Sequence, residues 1–159
     1  MPELPEVETI KENLKSKILN KKIIKVTINW NNIIQYPDIS NFKKQLTNQT
    51  INDITRKGKW LIFDLNDYVL LSHLRMEGKY FYKEKDTPLL KHEHIIFHLS
   101  NNYHLRYHDI RKFGKMHLLK KKDLDNYYIF SKLGLDPWDN NLNINYLKNK
   151  FKSNLPIKT

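Results

Sequence analysis

The sequence predicts an α+β fold that is mainly β: an antiparallel β-sandwich or barrel with an N-terminal helix, followed by the beginning of a helical module. Three observations carry this reading. One apolar stripe of helical period opens the chain, short β-branched and aromatic runs follow at close intervals, and the helical period returns after about residue 123. Strands this closely spaced leave little chain for crossover helices, which argues against a parallel sheet.

The opening helix is expected over about residues 5–18. Pro5 suits a first turn, where its missing N–H costs nothing, and Glu6 and Glu8 complement the helix dipole. Val7, Ile10, Leu14 and Ile18 then form one buried stripe. Strands are expected within 21–30 (KKIIKVTINW), 59–65 (KWLIFDL), 68–74 (YVLLSHL), 78–84 (GKYFYKE), 94–100 (HIIFHLS), 103–109 (YHLRYHD) and 115–124 (KMHLLKKKDL). Asn101-Asn102 marks a hairpin between two of them. Helical period then reappears in 124–138 and in Ile144, Leu147 and Phe151, so the sandwich is assigned to 1–134 and a helical module to 135–159. Too little chain follows for more than the opening of a small bundle, and the sequence is expected to be a truncated protein or a dependent fragment.

The chain carries 28 Lys+Arg against 17 Asp+Glu, a net charge of +11 that favours a polyanionic partner and salt-dependent binding. A bias towards Lys and Asn in the genome would produce the same composition, so charge alone does not decide. No cysteine is present, which rules out disulfides and thiolate metal sites in these residues. The N-terminus is acidic and no run approaches the length of a membrane span, so a cytosolic protein without membrane contact is expected.

Removal of the initiator Met before the small Pro2 would leave a free secondary amine. Such a terminus has a pKa of about 8, leaving roughly a tenth of it neutral at pH 7, far more than any ordinary lysine. The positive end of the helix beside it disfavours the ammonium form and suits a nearby phosphate. A secondary amine attacks an aldehyde-like carbon, such as deoxyribose C1′, to form an iminium that drains electrons from neighbouring bonds. Glu3 is placed to move protons and Glu6 to order the turn. On its own the same run reads as merely a well-formed helix start.

The run Pro2-Glu3-Leu4-Pro5-Glu6-Val7-Glu8-Thr9 resembles the amino terminus of formamidopyrimidine-DNA glycosylases. Leu4 favours that branch over endonuclease VIII, which usually begins Pro-Glu-Gly-Pro-Glu. The resemblance implies a bifunctional enzyme that removes oxidised purines such as 8-oxoguanine and formamidopyrimidines, then nicks the abasic strand by β- and δ-elimination. Damaged double-stranded DNA is the implied partner, acted on by a monomer in the bacterial cytosol.

Further segments extend the resemblance. Arg56-Lys57-Gly58-Lys59-Trp60-Leu61 looks like the family's basic strand, which implies that Lys59 assists elimination or binds phosphate; in isolation it is an ordinary solvated lysine. A flipped-out nucleotide leaves a gap that must be filled. His73-Leu74-Arg75-Met76-Glu77-Gly78 resembles the segment whose methionine enters the gap, so Met76 takes that role, against its reading as a core filler. Asp109-Ile110-Arg111-Lys112-Phe113-Gly114 resembles the loop whose arginine pairs with the orphaned base and whose phenylalanine wedges the duplex, roles that fall to Arg111 and Phe113. Ile110 replaces the usual proline and is expected to loosen the loop, while Lys112 keeps a charge but not the fork of an arginine.

His92-Glu93-His94 resembles a His-Asp-His stretch whose first histidine lies on the DNA backbone, the role implied for His92. His92 and His94 would also share one face of a strand, but no third ligand stands in the pattern and no metal is expected. Leu133-Gly134-Leu135-Asp136-Pro137 looks like the linker into a helix–two-turn–helix module, and Ile157-Lys158-Thr159 like the start of a segment whose lysine, here Lys158, touches phosphate. The family's Gly-Asn-Ile-Tyr motif and four-cysteine zinc finger would lie beyond these residues. A zinc ion is expected only there, and no cofactor in this chain. Two rival readings are a non-catalytic duplex-DNA-binding fragment and a basic RNA-binding domain.

Overall fold

The computed structural model describes the backbone of residues 4–123 and the side chains of residues 6–122. Pro2, Glu3, Lys158 and the helical segments expected beyond residue 123, with the boundary at 134, lie outside the described residues. The described chain runs α1 (Leu4–Ile18), β1 (Ile23–Ile28), a 3-10 turn (Asn31–Ile33), β2 (Ile34–Tyr36), α2 (Ile39–Leu46), β3 (Asp53–Lys57), β4 (Trp60–Asp64), β5 (Tyr68–His73), β6 (Lys79–Glu84), β7 (Glu93–Leu99), β8 (Tyr103–His108) and β9 (Lys115–Lys120). Every expected strand is present, and the Asn101-Asn102 turn joins β7 to β8 with Asn102 in left-handed backbone at φ 67°.

The strands form two sheets, of order β1-β7-β8-β6 and β2-β9-β5-β4-β3, so the expected sandwich-or-barrel resolves into a sandwich. All pairings but one are antiparallel; the short β2 lies parallel to β9 at the edge. Alternating side chains of both sheets meet in one core with Val7, Leu14 and Ile18 from α1 and Phe42 and Leu46 from α2. Phe63, Tyr80 and Tyr107 form an aromatic seam through it, with ring centroids 5.7 and 5.2 Å apart. The buried hydroxyls find partners: Tyr80 shares a 2.6 Å hydrogen bond with Ser72, and Tyr107 donates to Asp109 at 2.8 Å.

Three corrections to the sequence reading concern local structure. α2 was not expected; its eight residues are capped by Asp38, whose carboxylate accepts from the Asn41 N–H at 3.2 Å, and it ends at Thr47 with Asn48 in left-handed backbone. The run 56–61 is not one basic strand. It bends at Gly58-Lys59 between β3 and β4, with Lys57 opposite Trp60. A two-residue loop with φ +57° at its first position fits a type II′ turn, where glycine is favoured. The last strand stops at Lys120 instead of continuing to residue 124, and a 3-10 turn over Lys121–Asp123 follows.

Strand register determines which loops share an end of the sandwich. In one sheet Trp60 faces His73, which faces Lys115; in the other Glu93 faces His108, which faces Lys79. The β3–β4 turn, the two sheet-crossing loops 74–78 and 109–114, the start of β7 and the exit of β1 therefore gather at one end. Among the described residues no helix is long and apolar enough to cross a membrane.

Candidate nucleic-acid interface

The first turns of α1 reach the same end. Lys15 near the helix C-terminus pairs with Asp53 at 3.5 Å, while Glu8 accepts from Arg56 Nε at 2.7 Å, so the helix runs alongside β3 with its N-terminus at the turn that bears Lys59. Arg56 Nη1 also donates to the Gly58 carbonyl at 3.2 Å, tying helix, strand and turn together. Hydrogen bonds from Lys11 and Arg56 hold the Glu8 carboxyl below its usual range. Glu6, Thr9 and Ile10 line a 440 Å³ cleft with Gly78, Lys79, Tyr80 and Phe81. The helix start that Pro2 and Glu3 precede is thus held beside the loop that carries Met76.

Met76 is 42% exposed, which rejects its reading as a core filler; Leu74, fully buried, has that role instead. The loop turns through Arg75, in left-handed backbone at φ 56°, and closes with the Gly78 N–H on the Leu74 carbonyl at 2.9 Å. The neighbouring loop presents Ile110 and Phe113, 54% and 51% exposed. An ion pair of 2.8 Å between Arg111 Nε and Glu77 links the two loops. Exposed apolar side chains on adjacent turns beside cations are the chemistry a wedge into stacked bases requires.

Asp109 organises the second loop. Its carboxylate accepts from the Tyr107 hydroxyl and the Gly114 N–H, each at 2.8 Å, and from the Lys112 N–H at 3.1 Å. The loop is therefore anchored at three points although Ile110 stands where proline was expected. The Tyr107 hydroxyl also fills the space behind both glycines: a Cβ would lie 2.6 Å from it at Gly78 and 1.7 Å at Gly114. Burial, and the Asp109 carboxylate beside it, push the Tyr107 phenol upward, so it remains a donor. One hydroxyl thus sets the approach of both loops, a role that sequence reasoning did not assign.

His92 lies at the edge of this surface, its ring centroid 6.1 Å from that of His94 and 5.8 Å from that of His108. His94 is buried and donates Nε2–H to the Asp109 carbonyl at 2.8 Å, a structural task that explains it without a metal. Among the described residues no group of three His, Asp or Glu side chains is arranged to hold a metal ion. Glu93, between them, is buried and accepts from Lys83, Arg106 and the Leu90 N–H.

Of the acids at this end, Asp109 and Glu93 are buried in hydrogen bonds and Glu77 faces Arg111, while Glu6 is exposed at the start of α1. The cations Lys57, Lys59, Arg75, Lys79 and Lys115 flank the same loops. Burial, with the charges of Arg75 and Lys59 beside it, pushes His73 down to about 4. The surface is rich in cations, bears exposed apolar side chains and borders a helix N-terminus, and these features together suit a nucleic-acid backbone with an accessible base step.

Comparison with known proteins gives a consistent result. The family model described as formamidopyrimidine-DNA glycosylase N-terminal domain matches residues 1–116. A formamidopyrimidine-DNA glycosylase of Oceanobacillus iheyensis is 48% identical over 153 residues, covering 96% of this chain and 55% of the relative. The one from Bacillus subtilis is 44% identical over 161 residues, covering 100% of this chain and 58% of the relative. The chain thus spans a little over half the length of the curated relatives it matches. A Lactococcus lactis homologue solved with DNA containing an abasic site superposes with a TM-score of 0.75 at 39% identity, over 82% of this chain and 48% of that one. The same homologue with Fapy-dG-containing DNA gives the same score and identity, over 82% and 49%.

Proposed function

Since the chain belongs to the formamidopyrimidine-DNA glycosylase family, we propose that it carries the catalytic half of a bifunctional DNA glycosylase and abasic-site lyase that excises oxidised purines from duplex DNA. The observation that supports this reading best is the convergence at one end of the sandwich. The start of α1, Lys59 on its turn, and Met76, Arg111 and Phe113 on adjacent loops come from four separate segments of the chain.

In this reading the cationic rim docks the phosphates, and Met76, Arg111 and Phe113 occupy the space left when the damaged nucleotide turns out. The Pro2 amine bonds to C1′ as the C1′–base bond breaks and the base leaves with a proton. Glu3 protonates the sugar ring oxygen, and ring opening leaves an iminium at C1′. Loss of a C2′ proton then expels the 3′ phosphate, and a second elimination expels the 5′ phosphate. Hydrolysis of the remaining adduct returns the amine. Lys59, on a turn held to the helix through Arg56, takes the phosphate next to the lesion, His92 and Lys158 take further phosphates, and Glu6 orders the first helical turn.

Borohydride trapping on an abasic duplex tests this. The chain with a free Pro2 is expected to yield a covalent protein–DNA adduct, and blocking the terminal amine or replacing Pro2 is expected to abolish it. Salt-sensitive duplex binding without any adduct would select the non-catalytic DNA-binding reading, and preference for structured RNA would discard both.

A further inference from the structure

We propose that Trp30 is a positioning residue for the DNA-wedge loop, its indole face holding the Lys112 ammonium so that the flanking Arg111 and Phe113 are presented outward. The inference rests on the reading of loop 109–114 as a DNA contact. Lys112 Nζ lies 4.0 Å from the centroid of the Trp30 ring, close enough for a cation–π contact, and the ring remains 36% exposed. Lys112 is in left-handed backbone at φ 63°, a conformation unfavourable for a residue with a Cβ, so something outside the residue must hold it there.

Two anchors meet at Lys112. Its N–H donates to Asp109, and its ammonium rests on Trp30. Trp30 is itself fixed to the scaffold, because the preceding Asn29 donates its N–H to the His94 carbonyl at 2.6 Å and its side-chain amide to the Glu93 carbonyl at 3.3 Å. The ring of the same His94 donates to the Asp109 carbonyl at 2.8 Å. The β1 exit and the wedge loop are thus referenced to one buried histidine, and the Trp30–Lys112 contact closes the circuit between them. Ile110 leaves φ unrestricted where proline would have fixed it, and the clamp supplies the missing restriction two residues on.

The test compares Trp30→Ala, Trp30→Phe, Lys112→Met and the Trp30→Ala/Lys112→Met double variant in two measurements. The first is hydrogen exchange in the free protein at the Lys112 and Gly114 amides, both bonded to Asp109. Trp30→Ala and Lys112→Met are each expected to speed it about two- to fivefold, the range for an exposed cation–π contact, with the double variant no faster than either single one and Trp30→Phe near wild type. Amides within β7 and β8 should not change. The second measurement is affinity for a duplex carrying a stable abasic analogue, which should fall by a similar factor in Trp30→Ala and recover in Trp30→Phe. Unchanged loop exchange in Trp30→Ala and Lys112→Met overturns the clamp. Faster exchange with unchanged duplex affinity overturns its role in DNA contact. A wild-type chain that binds no duplex speaks against the proposed function, while the exchange measurement still decides the clamp.

Discussion

Replacing Gly114 with alanine is expected to destabilise the protein by about 3 kcal/mol and to lower its melting temperature by about 10 °C. The added Cβ would stand 1.7 Å from the Tyr107 hydroxyl and 3.0 Å from the Asp109 carboxylate. Tyr107 is fully buried between the two sheets and cannot swing aside, so the loop must move instead. That movement stretches the Gly114 N–H to Asp109 hydrogen bond and the Tyr107 bond to the same oxygen, leaving buried polar groups poorly paired. Tyr107→Phe removes the nearer obstruction, leaving the ring Cζ at 2.7 Å, so the double variant should lose less stability than the sum of the two single variants. Additive losses in urea denaturation would show that the hydroxyl does not set the loop. The consequence reaches the wedge, because the same hydroxyl backs Gly78 and so positions the Met76 turn.

Features that depend on local pattern were legible in the sequence. Val7, Leu14 and Ile18 line one helical face because the 3.6-residue period leaves them no other buried arrangement, and β1 and β7 declare themselves by short runs rich in β-branched residues. α2 escaped because eight residues with two core anchors, Phe42 and Leu46, barely repeat a period, although Asp38 was a visible cap. β3 escaped because only Ile54 and Thr55 of its five residues are buried; Gly58 was the available turn signal. At the interface the motifs pointed to Met76, Arg111 and Phe113, which do land on adjacent loops. What the motifs could not convey is tertiary: that Tyr107 backs two glycines, that Trp30 meets Lys112, and that Lys59 rides a turn tethered by Arg56. None of these contacts has a spacing in the sequence.

The largest loss of stability is expected from removing a charge that composition would place on the surface. Glu93→Ala should cost about 3–5 kcal/mol, because it leaves Arg106 buried without its carboxylate partner. Arg106 is only 2% exposed, and besides Glu93 at 3.1 Å it donates to the Thr87 and Pro88 carbonyls at 2.7 and 3.2 Å. Glu93 in turn accepts from the Leu90 N–H at 2.8 Å and from Lys83. The pair therefore pins the β6–β7 connection, whose last residue is His92. Burial opposes ionisation of Glu93, but the Leu90 N–H, Lys83 and Arg106 outweigh it and hold the carboxyl below 4.5. A carboxyl depressed on folding contributes stability that is present above its unfolded pKa and disappears as pH falls through the folded one. Wild-type stability should accordingly decline with acidification below about pH 4.5. Glu93→Gln keeps the shape and an acceptor but cannot titrate, so it should be less stable than wild type at neutral pH and converge on it in acid. Urea denaturation at neutral and acid pH measures both effects; a constant difference between the two proteins across that range would mean that Glu93 is not held as a carboxylate by Arg106 and Lys83.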